Sequence, residues 1–403
     1  MQCHNGSMST QIIRGNVVTQ DDVIEDGVVV FEGRQITYVG PSDEAPVSLD
    51  GARRTAYVLP GLVDVHCHGG GGASFPDSDT REQVMTAIME HRRHGTTTML
   101  GSCVTAAPDV LKKRAELMAS VCDEGELAGI HFEGPFVSKE RCGAQDPRYI
   151  IDPDPQLVRE LIEIGRGHVK TMTIAPEKPN ITGPDGVSAV LIEGGALPSF
   201  GHTNSDPAPV REALADARER LGKVAEKLSP RATVTHLFNG MKPLHHRDPG
   251  PIAECLADAK KGGAVLEMIA DGVHLHLSVV RDVYETVGRE NIVLITDAMA
   301  AAGMADGQYV LGPQAVTVKD GIARLSGGDS IAGGTSHLLD QIKLLREWDI
   351  PLQDIVYCAS TQGAKILGDD TIGSLEAGKS ADVVCVNYDF DVEAVFRRGE
   401  LVE

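Results

Sequence analysis

Hydrophobic and polar positions follow two textures along this chain. Between residues 11 and 59, short alternating runs at 11–18, 27–31 and 35–39 are separated by the turn-forming tripeptides E-D-G (25–27) and E-G-R (32–34). That is the pattern of β-strands joined by tight turns. After Pro60, apolar runs of strand length alternate with stretches of helical periodicity, which predicts βα units and a parallel sheet. Eight such strands are expected, at 58–65, 96–103, 127–132, 169–175, 197–201, 233–237, 265–270 and 292–296. Helices are expected at 79–94, 107–123, 154–166, 206–221 and 279–287, and several open on Asp, which suits a helix N-terminus. Eight β/α units over about 250 residues is the extent of a (β/α)8 TIM-type barrel.

Beyond Tyr309 the β texture returns at 315–319, 322–325, 381–386 and 392–397, interrupted by helical stretches at 335–347 and 352–366. The predicted architecture is therefore α/β, a TIM-type barrel over residues 59–308 with a small β-domain formed from both termini. Residues 1–58 would supply one part of that domain, and residues 309–403 the other together with terminal helices of the barrel.

Composition narrows the partners. A chain of 403 residues with 42% hydrophobic and 24% charged residues has the material for a large folded core. No apolar run approaches the roughly 20 residues needed to span a bilayer. The net charge of −21, with no basic patch, argues against nucleic acid and anionic membrane as partners. An anionic substrate would need a local cationic pocket. Residues 1–10 lack a basic segment and an apolar h-region and are expected to be a disordered lead-in without export signal, with Met8 as an alternative start. Eight scattered cysteines without a C-x-x-C then read as reduced, cytoplasmic thiols.

The candidate chemistry starts where the apolar run at 57–65 ends, in His66 and His68. Side chains of an extended strand alternate faces, so these imidazoles project to one side, about 6–7 Å apart along the chain, and can share a cation. In a TIM-type barrel the chemistry sits at the C-terminal ends of the strands. Those ends also carry Glu133, His202, His236 and Asp297. Each alone has an ordinary alternative: a satisfied polar histidine, a carboxylate held by backbone amides, a helix N-cap. Six on one rim point instead to a metal centre. Imidazole and carboxylate suit Zn2+ and similar divalent ions, with Fe2+, Mn2+ or Co2+ as alternatives, and Glu133 is placed to bridge two of them. A divalent ion brings the pKa of its water from 15.7 to about 7. Asp297, which also counts among the ligands, would take the proton from that water and return it to a leaving amine. The constellation predicts hydrolysis of an amide or similar carbonyl bond.

At these residues the chain resembles the amidohydrolase superfamily, and within it the N-acetylglucosamine-6-phosphate deacetylases. The likeness runs from residue 11 to 403 and is strongest in P-G-L-V-D-V-H-C-H-G (60–69), H-F-E-G-P-F (131–136), G-H-T (201–203), T-H-L-F-N-G-M (235–241), H-R-D-P-G (246–250), D-G-V-H (271–274) and T-D-A (296–298). The resemblance implies removal of the acetyl group from N-acetylglucosamine 6-phosphate. It implies one metal on Glu133, His202 and His236, a second on His66 and His68, and Asp297 as general acid/base. It further implies phosphate recognition by Arg247 across the interface of a homodimer or higher homo-oligomer and by backbone amides at Asn239 and Gly240, a sugar contact from His274, and Ile331 beside the substrate. A planar guanidinium suits bidentate phosphate binding.

The chain departs from the family in the loop R-C-G-A-Q-D-P (141–147), where Gln145 stands in place of a histidine that polarises the acetyl carbonyl. Gln donates a hydrogen bond but cannot become cationic. Two alternatives follow: an amidohydrolase acting on another N-acyl amino sugar or N-acyl amino acid, or a non-catalytic binder of amino-sugar phosphates. Lys170, at the start of the fourth strand, sits at the wrong end of the barrel to be a carbamylated bridging lysine. Residues 69–72 are glycine-rich but no P-loop Lys follows, so a turn is expected there. Cys142, in the same loop as Gln145, is expected either to reach the pocket or to be an ordinary loop thiol, and His245, His246 and His276 are expected to be loop or structural residues.

Overall fold

The computed structural model describes residues 10–224 and 229–403. The lead-in expected at residues 1–10 lies, apart from Thr10, outside the described residues. Eight strands stand in sequence order, each parallel to its neighbour: Leu62–Asp64, Thr96–Val104, Gly129–Glu133, Val169–Ile174, Leu197–Phe200, Thr233–Val234, Val265–Met268 and Ile292–Leu294. Helices cover the outside, so strands buried on both faces read as nearly continuous apolar runs. Helix starts follow local chemistry. Thr80 and Gln83 form a capping box at the head of Arg81–Arg93, Asp154 caps Pro155–Ile164, and His276 caps Leu277–Val287. Beyond strands eight and one, the Asp297 N–H donates to the His66 carbonyl and the His68 N–H to the Ala298 carbonyl. The last strand end is thereby tied to the first.

Both termini build a separate seven-stranded sheet in which Arg53–Pro60 lies between Thr10–Val18 and Val383–Val386. Its core includes Ile13, Val29, Phe31, Val58, Val383 and Phe396. The expected first barrel strand, 58–65, is in fact divided at Gly61 between the terminal sheet and the barrel. Gly61 donates its N–H to the Asp382 carbonyl, and a Cβ there would collide with Thr97 Oγ1, so only glycine lets the chain cross between the sheets.

The strands expected at 315–319 and 322–325 do not join the terminal sheet. With Gly307–Leu311 they form a three-stranded antiparallel sheet of their own. Short turns at residues 312–313 and 320–321 pair neighbours in sequence, and Leu311, Val316 and Ala323 pack on Met299, Ala300 and Ala301 beside the barrel rim. The helix expected at 352–366 breaks at Ser360 into Leu352–Ala359 and Thr361–Leu367. No helix among the described residues is long and apolar enough to cross a membrane.

Candidate metal centre and active site

The structure brings the six expected rim side chains together. His66 and His68 follow strand one, Glu133 ends strand three, and His202, His236 and Asp297 follow strands five, six and eight. None is more than 9% exposed. They form two groups that share Glu133, one with His66, His68 and Asp297, the other with His202 and His236. Donor atoms within each group lie within 4.8 Å of one another. Glu133 presents one oxygen to each group. Oε2 is 3.0 Å from His68 Nε2, and Oε1 is 3.0 Å from His202 Nε2 and 2.8 Å from His236 Nε2. Asp297 Oδ1 stands 3.3 Å from His66 Nε2 and 3.2 Å from His68 Nε2.

Backbone conformation aims three of these side chains. His202, His236 and Asp297 have φ of +46°, +26° and +47°, a region in which a non-glycine residue costs on the order of 1–3 kcal/mol. Such strain persists where neighbouring structure over-determines it, and it concentrates at functional sites.

The imidazole tautomers follow from their outer partners. His68 Nδ1 faces the Ser102 carbonyl at 3.2 Å and His202 Nδ1 the Arg141 carbonyl at 2.8 Å. A carbonyl only accepts, so each Nδ1 carries a proton and each Nε2 is left facing inward, free to take a second proton or a cation. His66 Nδ1 is set the same way by Glu267 Oε2 at 3.0 Å. The Nε2 atoms of His66 and His68 are 3.1 Å apart, and those of His202 and His236 are 3.2 Å apart. Lone pairs that close repel unless positive charge, a proton or a metal cation, lies between them. Buried imidazoles and carboxylates with this outer shell fit a divalent ion.

The charges of the cluster support one another. Burial pushes the imidazoles toward neutrality, yet the carboxylates of Asp297 and Glu133 hold His66 well above its ordinary range and His68 at about 9. Burial opposes ionisation of the two acids, and the histidines overcome it. His202 and His66 keep Glu133 well below the carboxylate range, and His66 and His68 do the same for Asp297. His131 goes the other way: burial, then the charge on His66, lowers it well below its usual value. It bridges Ser102 Oγ and Thr173 Oγ1 at 2.9 Å each as a neutral spacer beneath His66.

Over the centre lies a cavity of about 360 Å³, lined among others by Gln145, Asn239, Gly240, His274, Asp297 and Ile331. His274 is fixed by Asp271, Nδ1 to Oδ2 at 2.7 Å, and its Nε2 lies 4.0 Å from Asp297 Oδ2. Gln145 is buried and bonded at both ends of its amide. Its Oε1 accepts from the Thr105 N–H at 2.7 Å and its Nε2 donates to Glu133 Oε2 at 2.6 Å. The Asn239 N–H is taken up by the His236 carbonyl at 2.9 Å. Gly240 has φ of +61°, and a Cβ there would come 2.7 Å from His202 Nδ1.

Arg247 is not brought to this cavity; it is exposed and donates to His246 Nε2 at 2.7 Å. Lys170 begins strand four, at the end of the barrel away from the site. The glycine-rich residues 69–72 form a tight hairpin whose Gly71 and Gly72 N–H groups bond the Ala302 and Ala300 carbonyls, so they are not free to cradle an anion. Sequence reasoning missed Asp64, His131 and Glu267. Asp64 accepts from the His66 N–H and from Thr296 Oγ1, and burial raises it to about 6. The available signal was a polar residue inside each of three apolar runs, L-V-D-V, G-I-H-F and V-L-E-M.

Comparison with known proteins places this geometry. The amidohydrolase family model matches residues 57–402. N-acetylglucosamine-6-phosphate deacetylase of Bacillus subtilis (strain 168) is 33% identical over 398 residues, 96% of this chain and 95% of the relative. N-acetylgalactosamine-6-phosphate deacetylase of Escherichia coli O157:H7 is 30% identical over 97% of this chain and 99% of its own. A mutant N-acetyl-D-glucosamine-6-phosphate deacetylase from Mycobacterium smegmatis, solved in complex with N-acetyl-D-glucosamine-6-phosphate, superposes with a TM-score of 0.88 at 35% identity, covering 98% of this chain and 99% of that one. The rim of buried histidines and acids therefore sits in a familiar frame, and the chain belongs to the amidohydrolase family.

Proposed function

We propose that this chain is a divalent-metal-dependent deacetylase that converts N-acetylglucosamine 6-phosphate and water to glucosamine 6-phosphate and acetate. The observation that carries the reading is Glu133, shared between two converging donor groups, with Asp297 beside it on the cavity wall. The relatives in Bacillus subtilis and Mycobacterium smegmatis bear this activity in their names, and the latter's complex holds the substrate. The residues that would hold metal are His66, His68, Glu133 and Asp297 on one side and Glu133, His202 and His236 on the other, with Zn2+ the first choice and Fe2+, Mn2+ or Co2+ as alternatives. When bound, such an ion supplies Lewis acidity to the carbonyl and to water.

Asp297 is ionised and can accept a proton from the attacking water, then deliver it to the amine nitrogen as the C–N bond breaks. His274 is oriented by Asp271 to meet the sugar close to Asp297. Gln145 lines the cavity and spends one amide N–H on the shared Glu133. Arg247, exposed and not among the residues lining its own cavity, would serve the 6-phosphate of a neighbouring copy in a homodimer. Among the described residues seven cysteines are unpaired, which suits a reducing, cytoplasmic setting.

The Escherichia coli galactosamine relative makes the sugar epimer the second question. Acetate release from N-acetylglucosamine 6-phosphate, its galacto epimer and unphosphorylated N-acetylglucosamine tests both points. Metal-loaded protein should release acetate from a 6-phosphate. Asp297→Asn should lower kcat by roughly 10²–10⁴-fold, the usual worth of a general acid/base. No acetate from any of the three overturns the proposal.

A further inference from the structure

Strand seven, Val265–Met268, is apolar except for Glu267, whose residue is 1% exposed. A carboxylate in such a place carries a desolvation penalty of several kcal/mol unless its contacts repay it. Val or Ile would fill the position without that penalty. Its contacts are with the metal centre. Oε2 lies 3.0 Å from His66 Nδ1 and 3.3 Å from the backbone nitrogen of His236, and the Glu267 carbonyl accepts from the Leu237 N–H at 2.8 Å. His66 belongs to the donor group with His68 and Asp297, and His236 to the group with His202. One carboxylate oxygen thus touches a member of each half of the centre, from the side opposite Glu133.

We propose that Glu267 is a positioning residue that ties the two half-sites together. Its negative oxygen holds the proton on His66 Nδ1, so that Nε2 presents its lone pair to the centre, and the same oxygen pins the main chain at the positive-φ turn of His236. The inference rests on the metal-hydrolase reading above. A carboxylate behind a ligating histidine fixes its ring and raises its basicity, and losing such a partner typically weakens metal binding roughly 10- to 100-fold. The two halves should not suffer alike. His66 loses its side-chain partner outright, whereas His236 loses one main-chain bond and keeps its place through Leu237. The His66–His68–Asp297 half should therefore weaken first.

The test uses full-length protein with Glu267→Ala and the isosteric Glu267→Gln, loaded with Co2+ from a chelator-buffered series. Metal content per chain and the visible Co2+ absorption bands are read alongside acetate release. The wild type should fill both halves. Glu267→Ala should need roughly 10- to 100-fold more free Co2+ to fill one half, with the bands of that half altered, and Glu267→Gln, which keeps an acceptor but not the charge, should fall between. If Glu267→Ala does not fold, the isosteric variant alone carries the comparison. Wild-type affinity and unchanged bands in the folded variants overturn the proposal while leaving the hydrolase reading intact. A wild-type chain that takes up no cation overturns both.

Discussion

His337 lies away from the metal centre, and the stability it provides should depend on pH. At the head of the helix Leu338–Leu345, its Nε2 is 2.9 Å from Glu90 Oε1 and its Nδ1 is 3.0 Å from Asp340 Oδ2. The ring stacks on His94 at 3.7 Å with 9° between planes, and His91 meets it edge-on at 5.2 Å. Glu90, His94 and His337 have the composition of a metal site. Two parallel rings at that spacing cannot aim both in-plane lone pairs at one ion, so the group is an ion pair. Burial alone would lower His337, but Asp340 and Glu90 raise it from 6.5 to about 9.

The pair also has an address. The Gly334 N–H bonds the Asp297 carbonyl at 2.6 Å three residues before His337, and a Cβ on Gly303 would collide with the Glu90 carboxylate. The imidazolium thus ties the helix Arg81–Arg93 to the segment that bonds the Asp297 carbonyl. Each pKa unit is worth about 1.4 kcal/mol, so the charge contributes roughly 3 kcal/mol. Above pH 6.5 the folded chain binds more protons at this group than the unfolded chain. The contribution is therefore complete below about pH 6.5 and lost as pH climbs through about 9. His337→Gln keeps hydrogen-bonding capacity without charge. Denaturant midpoints of both proteins at pH 6, 7.5 and 9.5 should show a gap of roughly 3 kcal/mol at the lowest pH that shrinks toward the highest. A gap of constant size would refute the reasoning.

Two further outcomes concern turnover. Arg247→Ala should raise KM for the 6-phosphate substrate about 10- to 100-fold, the worth of a charge-assisted hydrogen bond, with kcat little changed. Equal effects on phosphorylated and unphosphorylated sugars would remove Arg247 from phosphate recognition. Gln145→Ala strips a 2.6 Å donor from Glu133 and leaves the Thr105 N–H without its acceptor. It should cost about 1.5–3 kcal/mol in kcat/KM, read from acetate-release kinetics. Unchanged kinetics would mean that the amide does nothing for the Glu133 carboxylate.

Much of this molecule is legible along one dimension. The alternation of buried strand and amphipathic helix after Pro60 specifies a wound barrel, because each element's periodicity records which of its faces is covered. Since barrel chemistry gathers at strand ends, His66, His68, Glu133, His202, His236 and Asp297 could be named from position alone. Distances between elements are another matter. Which carboxylate stands behind His66 is decided by barrel closure, which brings Glu267 within 3.0 Å across 201 positions of sequence. The loop after strand three folds back to set Gln145 against Glu133, and packing on Met299 and its neighbours seats the three-stranded sheet beside the rim. At Gly61, the division of one apolar run between two sheets depends on Thr97 and Asp382, which come from elsewhere in the chain. Periodicity reports whether a residue is buried. Only the closed structure decides what it is buried against, because that is set by segments that are separate in sequence and meet only in the fold.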